Sequence, residues 1–472
     1  MKRIDPLPDD VLLEIFDFYM IMNPSYEDKP TVGAWQSLVH VCQQWRNLVF
    51  GSTRRLNVQL CCTPLTPARD ILEVWPTLPL IIEGEMSLQC TDNVIAVLGQ
   101  SHRVRQVILS GFVDCQLEKV LPAMQVPFPE LTDLELFSDG ETQPVIPYSF
   151  LGGSAPRLQT FFLGGIQYPG LQNLLLSATR LVYLALFDVP HSISLEAMVT
   201  LLSVLSSLDA LELEFQSPQS RPDWETQRSP PSKRSVVPAL DFFCFKGLIE
   251  YLEDLVTFID APQLKNFYIT SVNQIEVDTP RLAQFITCTP TLRALDGANV
   301  QFDDSTASVK LRYRTSDVHN LEIEILSTSE SDRQLSSVAR VCNSSLSPFS
   351  MVEVLYITHE CSDLEWDRDV IENTLWLELL LAFTAVKDLY LSREFSPGIA
   401  AALQELVGAR VTEVLPSLEN IFAEGLDEWT ENYNLQENIW QFAGARRYSG
   451  HPISISVWNR SDLPDREQDD DP

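Results

Sequence analysis

At 472 residues the chain is longer than one ordinary globular domain, so it forms either two or three domains or one elongated repeat array. A hydrophobic fraction of 45% suffices for a large core, while 33 Lys and Arg against 65 Asp and Glu give a formal net charge of -32. A surface that acidic repels phosphate backbones and anionic bilayers, which disfavours nucleic-acid and membrane-surface binding as a main function.

The start, "MKRIDPLPDD", turns acidic before any apolar run and does not read as a secretory signal. The stretch "LPDDVLLEIFDFY" then spaces its apolar residues for a helix. Pro8 is tolerated in a first turn, and Asp9 and Asp10 place negative charge where the helix dipole favours it. Val11, Leu12, Ile15, Phe16 and Tyr19 form one broad face, widened by Leu13 and Phe18. A second helical pattern comes next, in which Leu38, Val41, Cys42, Trp45, Leu48 and Val49 recur three and four apart. Two short helices cannot bury that much apolar surface against each other, so something else must cover it.

At these residues the segment resembles an F-box, a short helical module that docks on the Skp adaptor of cullin-RING ubiquitin ligases. The matching features are Leu7-Pro8, the helix bearing Val11, Leu12, Glu14, Ile15 and Phe16, and a closing "LVHVCQQWRNLVF" with Val41-Cys42, Trp45-Arg46 and Leu48. The resemblance covers about the first 50 residues; the insert "MIMNPSYEDKPTVGAW" is longer than the family's usual link between its first two helices. In this, and in the continuation "TPLTPARDILEVWPTLPLII", the chain resembles the expanded basidiomycete fungal F-box family. The resemblance implies that Leu7, Pro8, Val11, Leu12, Ile15, Phe16, Val41, Cys42, Trp45 and Leu48 contact the Skp adaptor. A plainer alternative is that these helices only cap the rest of the chain, as solenoid ends require. Burial of Ile15, Phe16 and Trp45 all together against the repeats would favour the cap.

Beyond residue 53 the chain repeats itself. A Leu-x-x-Leu-x-Leu pattern recurs as "LTDLEL" at Leu131, "LQTFFL" at Leu158, "LVYLAL" at Leu181 and "LDALEL" at Leu208. It returns as "LKNFYI" at Leu264, "VEVLYI" at Val352, "VKDLYL" at Val386 and "LENIFA" at Leu418, with poorer copies near Leu56, Leu80, Val104, Leu292 and Leu321. The spacing lies in or near the leucine-rich-repeat range. Pro precedes many copies, in "FPEL", "APRL", "APQL", "TPRL", "TPTL" and "LPSL", where it suits a turn that ends a helix and starts a strand. Alternating Leu-x-Leu residues point inward from a short strand, and helices such as "GLQNLLLSATR" cover them. Neighbouring units must then stack as parallel strands in a curved array. This resembles the irregular leucine-rich repeats that come after F-boxes, although the Asn expected after the strand is largely missing. A doubly wound α/β sheet has similar alternation, but its Gly-rich phosphate loop is not present.

Between the repeats, "QSPQSRPDWETQRSPPSKRSVVP" is Pro-rich and locally basic and reads as a disordered insert over 216–238. "HEC" at His359 to Cys361 sets a base near a nucleophile in sequence, but adjacent residues rarely meet with dyad geometry. The paired glycines of "LGGSAPRL" and "FLGGIQYPG" lack a following Lys-Ser or Lys-Thr and read as turn residues. Asn343-Ser344-Ser345 matches a glycosylation acceptor, relevant only to a secreted chain. "VIENTLWLELLLAFTAV" is interrupted by Glu372 and Glu378 and reads as a buried amphipathic helix. The chain closes on an acidic tail, 461–472. Nine Cys, odd in number and without a Cys-x-x-Cys, suit a reduced compartment and signal neither zinc nor a redox dithiol.

The expected organisation is therefore α/β: an F-box-like helical module over 1–52, an irregular leucine-rich-repeat solenoid over 53–460, and the acidic tail. The expected function is a non-catalytic substrate adaptor of a Skp-cullin-F-box ubiquitin ligase, cytoplasmic or nuclear, needing no cofactor or metal, whose repeats hold a protein substrate. The alternative is a leucine-rich-repeat interaction scaffold without a ubiquitin-ligase role.

Overall fold

The computed structural model describes residues 7–459 except 23–33, 66, 76, 87–90, 113–115, 139, 141–143, 190–192, 216–233, 272–278, 304–305, 314–318, 327–330, 344–346, 360–371, 407, 425 and 427–432. The tail 461–472 and Cys361 thus lie outside the described residues, as does the body of the insert. The chain is α/β and divides into two compact units, Met1–Pro190 and His191–Pro472. The division does not fall at residue 52, because the N-terminal helices pack on the first repeat.

The first unit opens with helices α1 (Asp9–Met22), α2 (Ala34–Val39) and α3 (Gln43–Gly51). The second apolar pattern is therefore two helices rather than one. The break falls at Cys42, whose extended backbone caps α3 while its Sγ accepts a hydrogen bond from the Trp45 N–H at 3.5 Å. Six strands come next: β1 (Leu60–Cys62), β2 (Leu80–Glu85), β3 (Val104–Ser110), β4 (Asp133–Phe137), β5 (Thr160–Gly164) and β6 (Tyr183–Val189). They lie side by side in sequence order, all parallel. A doubly wound sheet reverses its order at a switch point and this unit does not. Short helices α4 (Ala68–Val74), α5 (Thr91–Leu98), α6 (Gln116–Val120) and α7 (Leu171–Ser177), with single 3-10 turns, make the crossovers.

The second unit begins with α8 (Leu195–Val204), capped by Ser194 Oγ accepting from the Ala197 N–H, and β7 (Ala210–Phe215). Next come β8 (Ser235–Val236), β9 (Phe242–Gly247), α9 (Ile249–Phe258), β10 (Ile259–Asp260), β11 (Asn266–Ser271), α10 (Pro280–Cys288) and α11 (Pro290–Arg293). Three strands then run in succession, β12 (Gly297–Phe302), β13 (Thr306–Arg312) and β14 (His319–Leu326). The chain continues as α12 (Ser331–Asn343), β15 (Val354–His359), α13 (Asn373–Leu381), β16 (Asp388–Leu391), α14 (Ser396–Gln404), β17 (Asn420–Ala423), α15 (Tyr433–Tyr448) and β18 (Ser454–Val457). The strand order within the unit is β7-β9-β11-β14-β13-β12-β15-β16-β17-β18.

The eight better sequence copies each place a strand that starts two residues after the first Leu or Val, and that first residue is buried in every copy. Before most of them lies the same turn, with an N–H bonding three residues back: Leu131 to Phe128, Leu158 to Ala155, Leu264 to Ala261, Leu418 to Leu415. Its second position is Pro129, Pro156, Pro262 or Pro416, which is where a turn accepts the fixed φ of proline. The same turn, Leu240 to Val237 across Pro238, opens β9. Residues 235–238 therefore belong to the repeats and not to the insert: Ser235–Val236 pairs with Ile259–Asp260, and Val237 is buried. The prolines of "TPRL" and "TPTL" do something else. Pro280 and Pro290 stand in the first turns of α10 and α11, and the buried Glu253 carboxylate accepts the Arg281 and Leu282 N–H groups, satisfying two orphan donors there.

Not every strand is parallel. β13 runs antiparallel to both β12 and β14, so a three-strand meander interrupts the parallel order and returns the chain beside β11. After β4 and β5 backbone groups bond onward to the next strand: Ser138 N–H donates to Gly164 O, and Gly165 N–H to Phe187 O. Gly165 adopts φ +66, and a Cβ at Gly164 would run into the ring of Phe137. These glycines serve a turn and a close ring approach. Gly164→Ala should displace Phe137 and cost about 1–3 kcal/mol, readable as a lower unfolding midpoint. An unchanged midpoint would show that the ring moves aside freely.

Candidate functional site

The N-terminal helices sort their apolar residues into two sets. Leu12 and Phe16 turn inward and are buried, and the Phe16 ring meets Trp45 edge-on at 4.8 Å. Trp45 and Leu48 are half-buried, and Val49 is fully buried. Trp35 ties the helices to the first repeat: its indole donates to Gln59 O at 2.8 Å and its ring meets Trp75 at 5.0 Å. Arg55 reaches back to α1, pairing with Asp17 at 3.0 Å and with Glu14.

The other set has no cover among the described residues. Val11, Ile15 and Phe18 lie along one side of α1 at helical spacing, with Ile15 44% and Phe18 65% exposed, and Leu7 is exposed just before the helix. Pro8 precedes the helix, and its carbonyl accepts the Leu12 N–H at 3.0 Å. Val41 and Cys42 are exposed too. They stand just before Gln44, whose side chain donates to Asp9 at 3.2 Å and so holds them at the first turn of α1. Of the ten residues expected to dock, Leu7, Pro8, Val11, Ile15, Val41 and Cys42 are at the surface, while Leu12 and Phe16 form the module's core. Ile15, Phe16 and Trp45 are not buried together against the repeats. Phe18 is the residue whose weight sequence reasoning missed; its i+3 spacing from Ile15 and i+7 from Val11 was the available signal.

A second candidate surface is the strand face opposite the buried Leu-x-Leu side chains. In the second unit, cross-strand register aligns Glu212, Cys244, Tyr268 and Glu322 on it. The same row continues to Tyr356, Tyr390 and Phe422, whose rings stack at 4.5 and 4.4 Å, with Arg312 5.6 Å over Tyr356 and Trp458 against Tyr390. In the first unit Phe137, Phe162 and Phe187 form a comparable half-exposed aromatic surface. Glu135 beside it is pushed above the usual carboxylate range by burial, reinforced by Asp133 and Glu83. Such faces offer contact area and charge.

The described residues hold no group of three His, Cys, Asp or Glu able to bind a metal, and no described helix is long and apolar enough to cross a membrane. His359 is buried at the end of β15, its ring 5.9 Å from Phe395, so the half of "HEC" that is described sits in a packed core. No protein-family model matches the sequence, and no curated protein matches it.

Burial pushes the Cys62 thiol up to about 11 and the Tyr168 hydroxyl to about 12, and burial with Glu212, Glu214 and Glu322 pushes Cys244 to about 12. All three are raised in the fold, so folding favours their protonated forms. For the two thiols that stability is complete below the unfolded value of about 8.5 and is lost as pH climbs toward the folded ones. The melting temperature should hold from neutral pH to about 8 and fall above about 9, with a shallower fall in Cys244→Ala. A profile identical in that variant would show that Cys244 ionises without cost.

Proposed function

We propose that this chain is a non-catalytic substrate adaptor of a Skp-cullin-F-box ubiquitin ligase. Its N-terminal helices resemble an F-box, and the one observation that most supports docking is the exposed stripe Val11, Ile15 and Phe18, with Leu7 just before it, on a helix whose other side is packed. An apolar stripe of that kind is the anchor set of helix-in-groove recognition, and exposed Val, Ile and Phe in one row mark an interaction surface. The one-strand repeats, read as an irregular leucine-rich-repeat solenoid, would hold a protein substrate on their strand faces while other subunits transfer ubiquitin. Work in the cytoplasm or nucleus goes with that role.

A scaffold without a ligase role is the second reading. The specific observation favouring it is the packing of Trp35 on Trp75 and Gln59, which makes α2 part of the first repeat's cover.

The test uses the full chain and the same organism's Skp adaptor in a pull-down. Binding, with Cys42 protected from alkylation in the complex, supports the adaptor reading, since Cys42 is exposed in the free chain. Absence of binding by the folded full chain leaves a scaffold whose N-terminal helices serve as its cap.

A further inference from the structure

Among the described residues, β18 pairs only with β17, which leaves its other edge open on the side where another repeat would stack. Ser454 N–H donates to Glu419 O at 2.8 Å and Trp458 N–H to Ala423 O at 3.3 Å, so residues of this parity turn toward β17. By alternation Ile455 and Val457 turn their N–H and C=O groups outward. Edge strands in proteins are ordinarily guarded by Lys, Pro, a bulge or a cover. Ser454–Val457 carries no charge, no proline and no bulge, and Val457 is 54% exposed.

The last described helix, α15, also exposes apolar surface. Leu435, Ile439, Phe442 and Arg446 of α15 face inward, and Gln441 bonds Gln404 of α14, which fixes one flank against the preceding repeat. Helical spacing turns Trp440 about 100° away from Gln441, and it is 61% exposed, with Gly444 one turn further on. A Cβ at Gly444 would meet nothing within 4 Å. A solenoid end needs a polar cap to remain soluble alone, and among the described residues this end has an open ladder and an exposed Trp.

We propose that this end face is a two-fold interface between two copies of the chain. β18 pairs antiparallel with β18 of the second copy, Ile455 opposite Val457 and Ser456 opposite its own equivalent, while Trp440 packs over the gap at Gly444. The occupant is a second copy because the edge is its own complement. The two outward residues flank a central Ser symmetrically, so each outward N–H meets a carbonyl in the same register. An uncharged strand also brings no like charges opposite each other, a condition few surfaces of a -32 chain meet. One four-residue strand and one helix flank make a small interface, below about 1,200 Å², so association is expected in the micromolar range.

Sedimentation velocity of the full chain should show a dimer that grows from micromolar to hundred-micromolar concentration. Val457→Pro with Trp440→Glu should remain monomeric while its circular dichroism and melting match the wild type. Ser456→Cys supplies a second reading, because residues on the axis of such a pair have Cα atoms about 4.5 Å apart, within disulfide reach. With the exposed Cys42, Cys61 and Cys288 replaced by Ser, mild oxidation should give a reducible dimer with Ser456→Cys and not with Ser454→Cys. A chain that stays monomeric throughout, a dimer that survives in the double variant, or equal cross-linking at 454 and 456 would each overturn the assignment.

Discussion

Replacing Val11, Ile15 and Phe18 together by Asp is expected to abolish Skp-adaptor binding while leaving the protein folded. Each side chain is exposed in the free chain, Val11 39%, Ile15 44% and Phe18 65%, so its loss removes little internal packing. In a docked complex burial of the exposed remainder would contribute about 1 kcal/mol for each, and a carboxylate in its place adds an uncompensated charge that costs about 1 kcal/mol or more in all. The summed loss of at least about 4 kcal/mol is a weakening of roughly 1,000-fold. Phe16→Ala is the contrasting variant. Phe16 is fully buried against Trp45, so truncation should cost about 3–5 kcal/mol of stability and weaken binding only by loosening α1. Calorimetric titration with adaptor, beside a melting curve, separates the two. A surface triple variant that binds as well as the wild type would end the docking proposal and leave α1 a cap.

Arg446→Met should open the end of the second unit. Arg446 is 1% exposed, and its guanidinium donates to four backbone carbonyls, those of Val411, Leu415, Pro416 and Leu418, at 3.0 to 3.4 Å. The described structure gives it no carboxylate, and burial lowers its pKa. The charge is tolerated because the carbonyl dipoles of the turn before β17 converge on it. That turn holds Leu415 at φ +49, a conformation costly for a branched side chain. Without the guanidinium the carbonyls lose their partner and the strained turn loses its clamp, a cost of about 3 kcal/mol or more. Amide exchange in Asn420–Ala423 and Tyr433–Tyr448 should accelerate about 100-fold, with Arg446→Lys in between because one ammonium cannot reach four acceptors in a plane. Unchanged exchange would mean the turn is held by Pro416 and packing alone.

Periodicity in the sequence was enough for the strands. Copies from Leu131 to Leu418 each begin a strand at the same offset, because a buried Leu followed by alternating apolar residues has one stable outcome beside a like neighbour. It was less informative about prolines. Pro129 and Pro280 stand in similar local strings, yet one serves a turn before a strand and the other starts a helix, since the Glu253 cap that favours helix there lies 28 residues before Arg281 in the chain. The meander was equally hidden: the strand Thr306–Arg312 is apolar enough for either direction, and only the short links to its neighbours force it antiparallel.

The residues proposed to dock divide along the same line. By itself the sequence determined that α1 and the following helices are amphipathic, that the repeats stack strand beside strand, and which Leu and Val residues start them, because spacing along one chain fixes which side chains share a face. Only the tertiary structure decided that Leu12 and Phe16 are core while Ile15 and Phe18 face out, that Pro238 opens a repeat, and that Arg446 is buried. Those outcomes depend on which neighbour arrives from elsewhere in the chain to cover a face, and local spacing carries no record of that neighbour.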